Sequence, residues 1–159
     1  MDTFAPTAFS NFFMKKLTLE FEEPAPWQTI GISSQLADYK LVFRINKALK
    51  TEFKRFDNFV AGTAKMKGEF SLYVFNDKAN RIKIFLLSNK SNGNILIREF
   101  RQLDYFFIID GEPEGRYLKD TVNKLREIPD VLFTQMIDME TVKNYSALTE
   151  AFELHVDRQ

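Results

Sequence analysis

The chain of 159 residues carries 22 basic and 22 acidic side chains, one histidine and no cysteine; its length suits one domain, commonly about 100 to 200 residues. Hydrophobic residues at 45% and charged residues at 28% exclude a disordered, fibrous or repeat protein, and zero net charge removes any whole-molecule pull toward nucleic acid or anionic lipid. Missing thiols exclude a disulfide framework, a thiolate metal site and a cysteine nucleophile, and so point to the cytoplasm.

Met1 to Phe13 is fairly apolar, but Lys15 and Lys16 follow that stretch where a secretory signal would have them precede it. Residues 1–13 are therefore read as a flexible N-terminal extension, 14–138 as a single α+β domain and 139–159 as a C-terminal tail. No run approaches the roughly 18 apolar residues of a membrane span. Leu17, Leu19 and Phe21 alternate with Thr18 and Glu20, a half-buried strand that Glu22 to Pro26 ends. Ser33 or Ser34 is the expected cap of a helix running to about Leu49, with Leu36, Tyr39, Val42, Phe43, Ile45 and Leu49 as its apolar stripe and Lys40, Arg44 and Lys47 mostly off it.

Phe53, Phe56 and Phe59-Val60 suggest a short strand or irregular segment before a turn at Ala61-Gly62-Thr63. Phe70 to Phe75 and Ile82 to Leu87 read as an antiparallel hairpin across Asn76 to Asn80, and Ser91-Asn92-Gly93-Asn94 sends Ile95 to Phe100 back alongside. Leu103 to Ile109 is almost continuously apolar, as a strand covered on both faces requires. Leu118, Val122 and Leu125 mark a second helix that Pro129 stops, Val131 to Ile137 returns as a strand, and Val142, Tyr145, Leu148 and Phe152 suggest a weak helix in the tail. The expected fold is α+β: a mainly antiparallel meander with two packed helices and a C-terminal strand-helix-strand unit. The 17 phenylalanines fit its core, any left exposed serving a partner or a stacked nucleobase.

Charge is segregated along the chain. Lys40, Arg44, Lys47, Lys50, Lys54, Arg55, Lys65 and Lys67 face only Glu52 and Asp57 between residues 40 and 67, a net of +6, whereas eleven acidic against five basic residues give −6 between Asp110 and Asp157. The two regions neutralise each other within one molecule or between two copies, or else the first is an anion or nucleic-acid patch.

Ile97-Arg98-Glu99-Phe100-Arg101-Gln102-Leu103-Asp104-Tyr105 resembles the motif of the IPExxxVDY family, small bacterial proteins best known from Bacteroidetes. Two more blocks resemble the same family: Ile32 to Leu41 continuing to Asn46-Lys47-Ala48-Leu49, and Leu87-Ser88-Asn89-Lys90. Together the likeness spans roughly Met14 to Asp138. Arg98 stands where proline is usual and Leu103 where valine is usual, so a rigid kink at 98 is not expected. The resemblance carries over no activity and no catalytic or binding residues.

Glu99, Asp104 and Tyr105 are the motif's polar positions. In one strand, Glu99 and Asp104 would face opposite sides, against paired-carboxylate catalysis unless a bulge or turn intervenes; structural roles are expected, with Arg98 or Arg101 as ion-pair partners and a satisfied Tyr105 hydroxyl. His155, four residues from the end, is expected to be too mobile for a triad or general base. One histidine and no cysteine leave only carboxylates such as Asp130, Asp138 and Glu140 for a weak hard-cation site, so neither a metal nor a cofactor is expected. Asp110 to Gly115 occupies a phosphate-loop position but carries Glu112 and Glu114 and no Walker lysine. What remains is a non-enzymatic binding or regulatory module with an unknown protein partner or itself, as a homodimer, and no membrane. The alternative is an RNA- or nucleotide-associated protein using Lys47, Lys54 and Arg55, with Lys40 and Arg44, beside Phe53 and Phe56.

Overall fold

Residues 27–63 and 66–157 are described by a computed structural model; the strand expected over Lys16–Phe21 and the extension at 1–13 lie outside the described residues. The chain forms β1 (Gln28–Ser34), α1 (Asp38–Leu49), β2 (Lys54–Thr63), β3 (Met66–Asp77), β4 (Ile82–Ser88), β5 (Lys90–Ser91), β6 (Asn94–Ile95), β7 (Tyr105–Asp110), α2 (Tyr117–Glu127), β8 (Val131–Ile137) and α3 (Tyr145–Val156). Short 3-10 turns lie at Arg98–Phe100 and Met139–Thr141. No helix among these residues is long and apolar enough to cross a membrane.

β3 and β4 form the expected hairpin, but the strand that completes the meander is β2 and not Ile95 to Phe100, and the main sheet runs in the order β2-β3-β4-β7-β1-β8 with every neighbouring pair antiparallel. The architecture is thus α+β around an antiparallel sheet. Because β7 and β8 both run against β1, they are parallel to each other with β1 between them, so the strand-helix-strand unit β7-α2-β8 steps over the first strand of the sheet.

Alternation along the strands builds two cores. Tyr105, Phe107 and Ile109 of β7 join Ile30, Ile32, Ile82, Ile84 and Leu86 beneath α1 and α2, which contribute Leu41, Val42, Ile45 and Leu125. Phe106 and Ile108 point the other way, into a layer with Phe59, Phe70, Phe85, Ile97, Leu103, Phe152 and Val156. Burial on both faces is why the β7 sequence is apolar throughout, and each large side chain so buried contributes about 1.5 to 3 kcal/mol. Gly31 of β1 has no side chain where a Cβ would collide with the Leu103 and Ile137 methyls.

Several expectations are corrected. Ser33 and Ser34 close β1 and do not cap α1; Ala37 holds the N-cap position, and the Ser34 hydroxyl donates to the Asp130 carbonyl (2.8 Å). β2 continues through Ala61-Gly62-Thr63, where the sequence predicts a turn, and carries a bulge between Phe56 and Phe59. Only Asn94 and Ile95 pair back, on Ser91 and Lys90, and the chain then turns at Arg98–Phe100 without the proline. Tyr39 and Phe43 leave the buried stripe of α1, which consists of Leu41, Val42 and Ile45 with Leu36 and Leu49 packed against it. The helix expected in the tail is α3, and it lies on the domain, with Phe152 edge-on to Phe59, Phe85 and Trp27 at centroid distances of 5.2, 5.2 and 5.6 Å.

Candidate functional site

Two of the three motif residues, Asp104 and Tyr105, meet at the start of β7 next to β1 and β4, joined by hydrogen bonds to the two other blocks of the resemblance. Asp104 accepts from the Ser34 amide through Oδ2 (2.8 Å) and pairs with Lys90 through Oδ1 (2.8 Å). The Tyr105 hydroxyl donates to the Leu36 carbonyl (2.6 Å). Glu99 lies apart on the 3-10 turn, where its Oε2 accepts from the Lys143 amide (2.7 Å). Neither carboxylate meets Arg98 or Arg101; their partners are backbone amides and Lys90.

At the centre stands Asn89, which sequence reasoning passed over. Its side chain is fully buried; Nδ2 donates to the carbonyls of Phe100 (3.0 Å) and Leu103 (2.9 Å), and Oδ1 accepts from the Ile97 amide (2.8 Å). Its backbone donates to Asp104 (2.9 Å) and accepts from Leu96 (2.8 Å). One amide thus completes the backbone hydrogen bonding of a segment whose own turns, Phe100 to Ile97 and Leu103 to Phe100, leave the Ile97 amide and the Leu103 carbonyl open. Asn46 does the same after α1, its Oδ1 accepting from the Thr51 hydroxyl and the Phe53 amide at 2.9 Å each.

These groups are engaged in structure, and their titration follows. The Lys143 amide, foremost, holds the Glu99 carboxyl below its ordinary range. Burial first, then nearby Asp38 and Asp104, pushes the Tyr105 hydroxyl far above 10, while burial and Asp77 push Tyr117 up to about 12. A phenol whose pKa is raised on folding stabilises the fold below its unfolded value near 10, and that contribution is lost as pH rises through the folded value. Stability is therefore expected to fall progressively above pH 10, and Tyr117→Phe is expected to flatten that decline; urea titrations across the alkaline range measure both.

His155 is not a loose end but packs on β2: its Nε2 lies 2.9 Å from the Asp57 carbonyl, and its ring stands 5.5 Å from Phe56 and 5.6 Å from Phe59. Its partners are a carbonyl and two rings, which supply neither a nucleophile nor an orienting carboxylate. Asp130 pairs with Arg44 (2.8 Å), and Asp138 accepts from the Glu140 amide (3.0 Å); among the described residues no three His, Cys, Asp or Glu side chains come together to hold a metal.

The basic candidates divide. Arg55 of β2 reaches the start of α1, its guanidinium 3.5 Å from Asp38 and 5.2 Å from the Tyr73 ring centre, and Lys54 precedes it at the start of β2. Lys47 lies near the other end of α1, roughly 13 Å along the axis from Asp38. Phe53 is buried against Phe75 and Phe107, and Phe56 is partly buried against His155, so neither ring stands free beside them to stack a base.

What α1 does present outward is Tyr39 and Phe43, 62% and 68% exposed, one turn apart with Lys40 and Lys47 on the same face. An open groove of about 490 Å³ runs from there toward α2, lined by Phe43, Arg44, Lys47, Ala48, Lys124, Glu127, Ile128 and Pro129. It combines three cations and one carboxylate with an apolar floor. An enclosed apolar cavity under α3, bounded by Trp27, Phe59, Phe106 and Phe152 among others, measures only about 40 Å³, room for about one water. No protein-family model matches the chain, and no curated protein matches it.

Proposed function

We propose that the chain is a non-enzymatic binding module of the bacterial cytoplasm that receives an acidic, partly apolar segment of a partner protein on the outer face of α1 and its groove toward α2. The observation that carries this reading is the exposure of Tyr39 and Phe43 on a lysine-bearing helix face. Exposed aromatics at helical spacing are costly to leave in water, and covering each contributes about 1.5 to 3 kcal/mol. The cations of the groove favour an acidic occupant and speed its encounter. Absent thiols support a reducing compartment. Membership of the IPExxxVDY family is part of the proposal, supported by the way its three blocks meet at Asp104, Asn89 and Tyr105.

Fluorescence anisotropy with a labelled amphipathic peptide bearing alternating glutamate and leucine tests the reading, with a labelled oligouridylate as the competing probe. The peptide is expected to bind, Phe43→Ala to weaken it about tenfold, and Lys47→Glu to weaken it further at low salt than at high salt. Preference for the oligouridylate, with steep salt dependence, would transfer the site to RNA. Binding of neither probe overturns the proposal.

A further inference from the structure

Among the described residues the main sheet ends on β2 and β8, and the two edges differ. β2 carries Lys54, Arg55 and Asp57 and a bulge between Phe56 and Phe59, devices that keep an edge strand from pairing with another chain. β8 has the sequence Val-Leu-Phe-Thr-Gln-Met-Ile, with no charge, proline or glycine, and among the described residues only β1 pairs with it. Leu132, Phe133 and Met136 are 66%, 42% and 49% exposed. An uncharged strand of this length, whose outer row of backbone donors and acceptors has no partner strand among the described residues, is a template for a further strand.

We propose that the occupant is a second copy of the chain, the two β8 strands pairing antiparallel about a two-fold axis to join both sheets into one. Antiparallel pairing of a strand with itself satisfies both free edges at once and closes, as an isologous interface must. The strand itself carries no charged side chain, and the Arg126 guanidinium that reaches it from α2 is engaged, donating to the Thr134 hydroxyl (2.8 Å). The two carboxylates that flank it are engaged elsewhere, Asp130 with Arg44 and Asp138 with the Glu140 amide. The exposed side chains also sit on both sides of the sheet. Met136 opposite Ile30 lies on the α1 and α2 side, and Phe133 opposite Ser33 lies on the α3 side, so pairing prolongs both apolar layers into the second copy. β2, blunted, gives no second site from which a filament could grow.

Light scattering on the full chain is expected to give twice the chain mass at micromolar concentration. Phe133→Lys with Met136→Lys is expected to give a folded monomer, judged by circular dichroism, while Leu154→Lys on α3 leaves the dimer intact. The cysteine-free sequence allows a second measurement in which single cysteines placed in turn from 132 to 136 are oxidised; disulfide-linked dimers centred on one position are expected. A full chain that stays monomeric, or a folded lysine double variant that remains dimeric, overturns the proposal, as does efficient cross-linking at none of the five positions.

Discussion

Asn89→Leu is expected to destabilise the protein by about 3 to 5 kcal/mol. The substitution keeps the branched shape but strands the Ile97 amide and the Leu103 carbonyl and leaves the Phe100 carbonyl with the Leu103 amide as its one partner, and each buried group left unpaired costs about 1 to 3 kcal/mol. Some re-pairing with water keeps the total below the sum. In a chain of this size such a loss lowers the melting temperature by roughly 10 °C or more. Lys90→Ala, which breaks only the half-exposed pair with Asp104, is expected to cost under about 1 kcal/mol. Urea unfolding of the two variants side by side separates the buried amide from the ion pair beside it; equal effects would mean that Asn89 is not the support of this segment.

Phe152→Ala is expected to cost about 3 to 5 kcal/mol, the usual range for a buried ring replaced by a methyl group. The ring contacts Trp27, Phe59 and Phe85 edge-on, and Val156 is the other buried side chain of α3, so Phe152 is the largest single anchor of the helix beside the partly buried Tyr145, Leu148 and His155. Beyond the equilibrium loss, amide exchange in α3 should accelerate far more than in β7, whose core residues Phe107 and Ile109 lie on the opposite face of the sheet. Uniform acceleration across α3 and β7 would show instead that the helix unfolds only with the whole domain.

The central strand was legible because its chemistry is local: a run such as Leu103 to Ile109 has few alternatives to a strand covered on both sides. Tyr39 and Phe43 were misread because a helix pattern with apolar residues at 36, 39, 42, 43, 45 and 49 spans more than one face, and which part turns inward depends on where β1 and α2 lie. Ser33 and Ser34 carry the sequence mark of a helix cap, yet the pairing of β1 with β7 and β8 claims them for a strand. Asn89 left no mark beyond an uncharged amide between a strand and a turn, since its partners lie 8 to 14 residues further on. The groove between α1 and α2 could not be read at all, because it joins Lys47 to Lys124 across the fold. The positive and negative stretches were read correctly as composition, but only one ion pair, Arg44 with Asp130, joins them among the described residues.

β1 comes before every other described strand, yet it lies between the last two strands of the main sheet. Ser34 at its end bonds residues 70 and 96 positions away, at Asp104 and Asp130. On a ribosome, then, β1 waits unpaired until β7 has been made, and one of its edges stays open until β8 emerges. Loops of that length must close before their contacts repay the lost entropy, so the chain is expected to fold late and slowly for its size, in milliseconds to seconds. During that interval its apolar Ile30 and Ile32 are open to association with other chains.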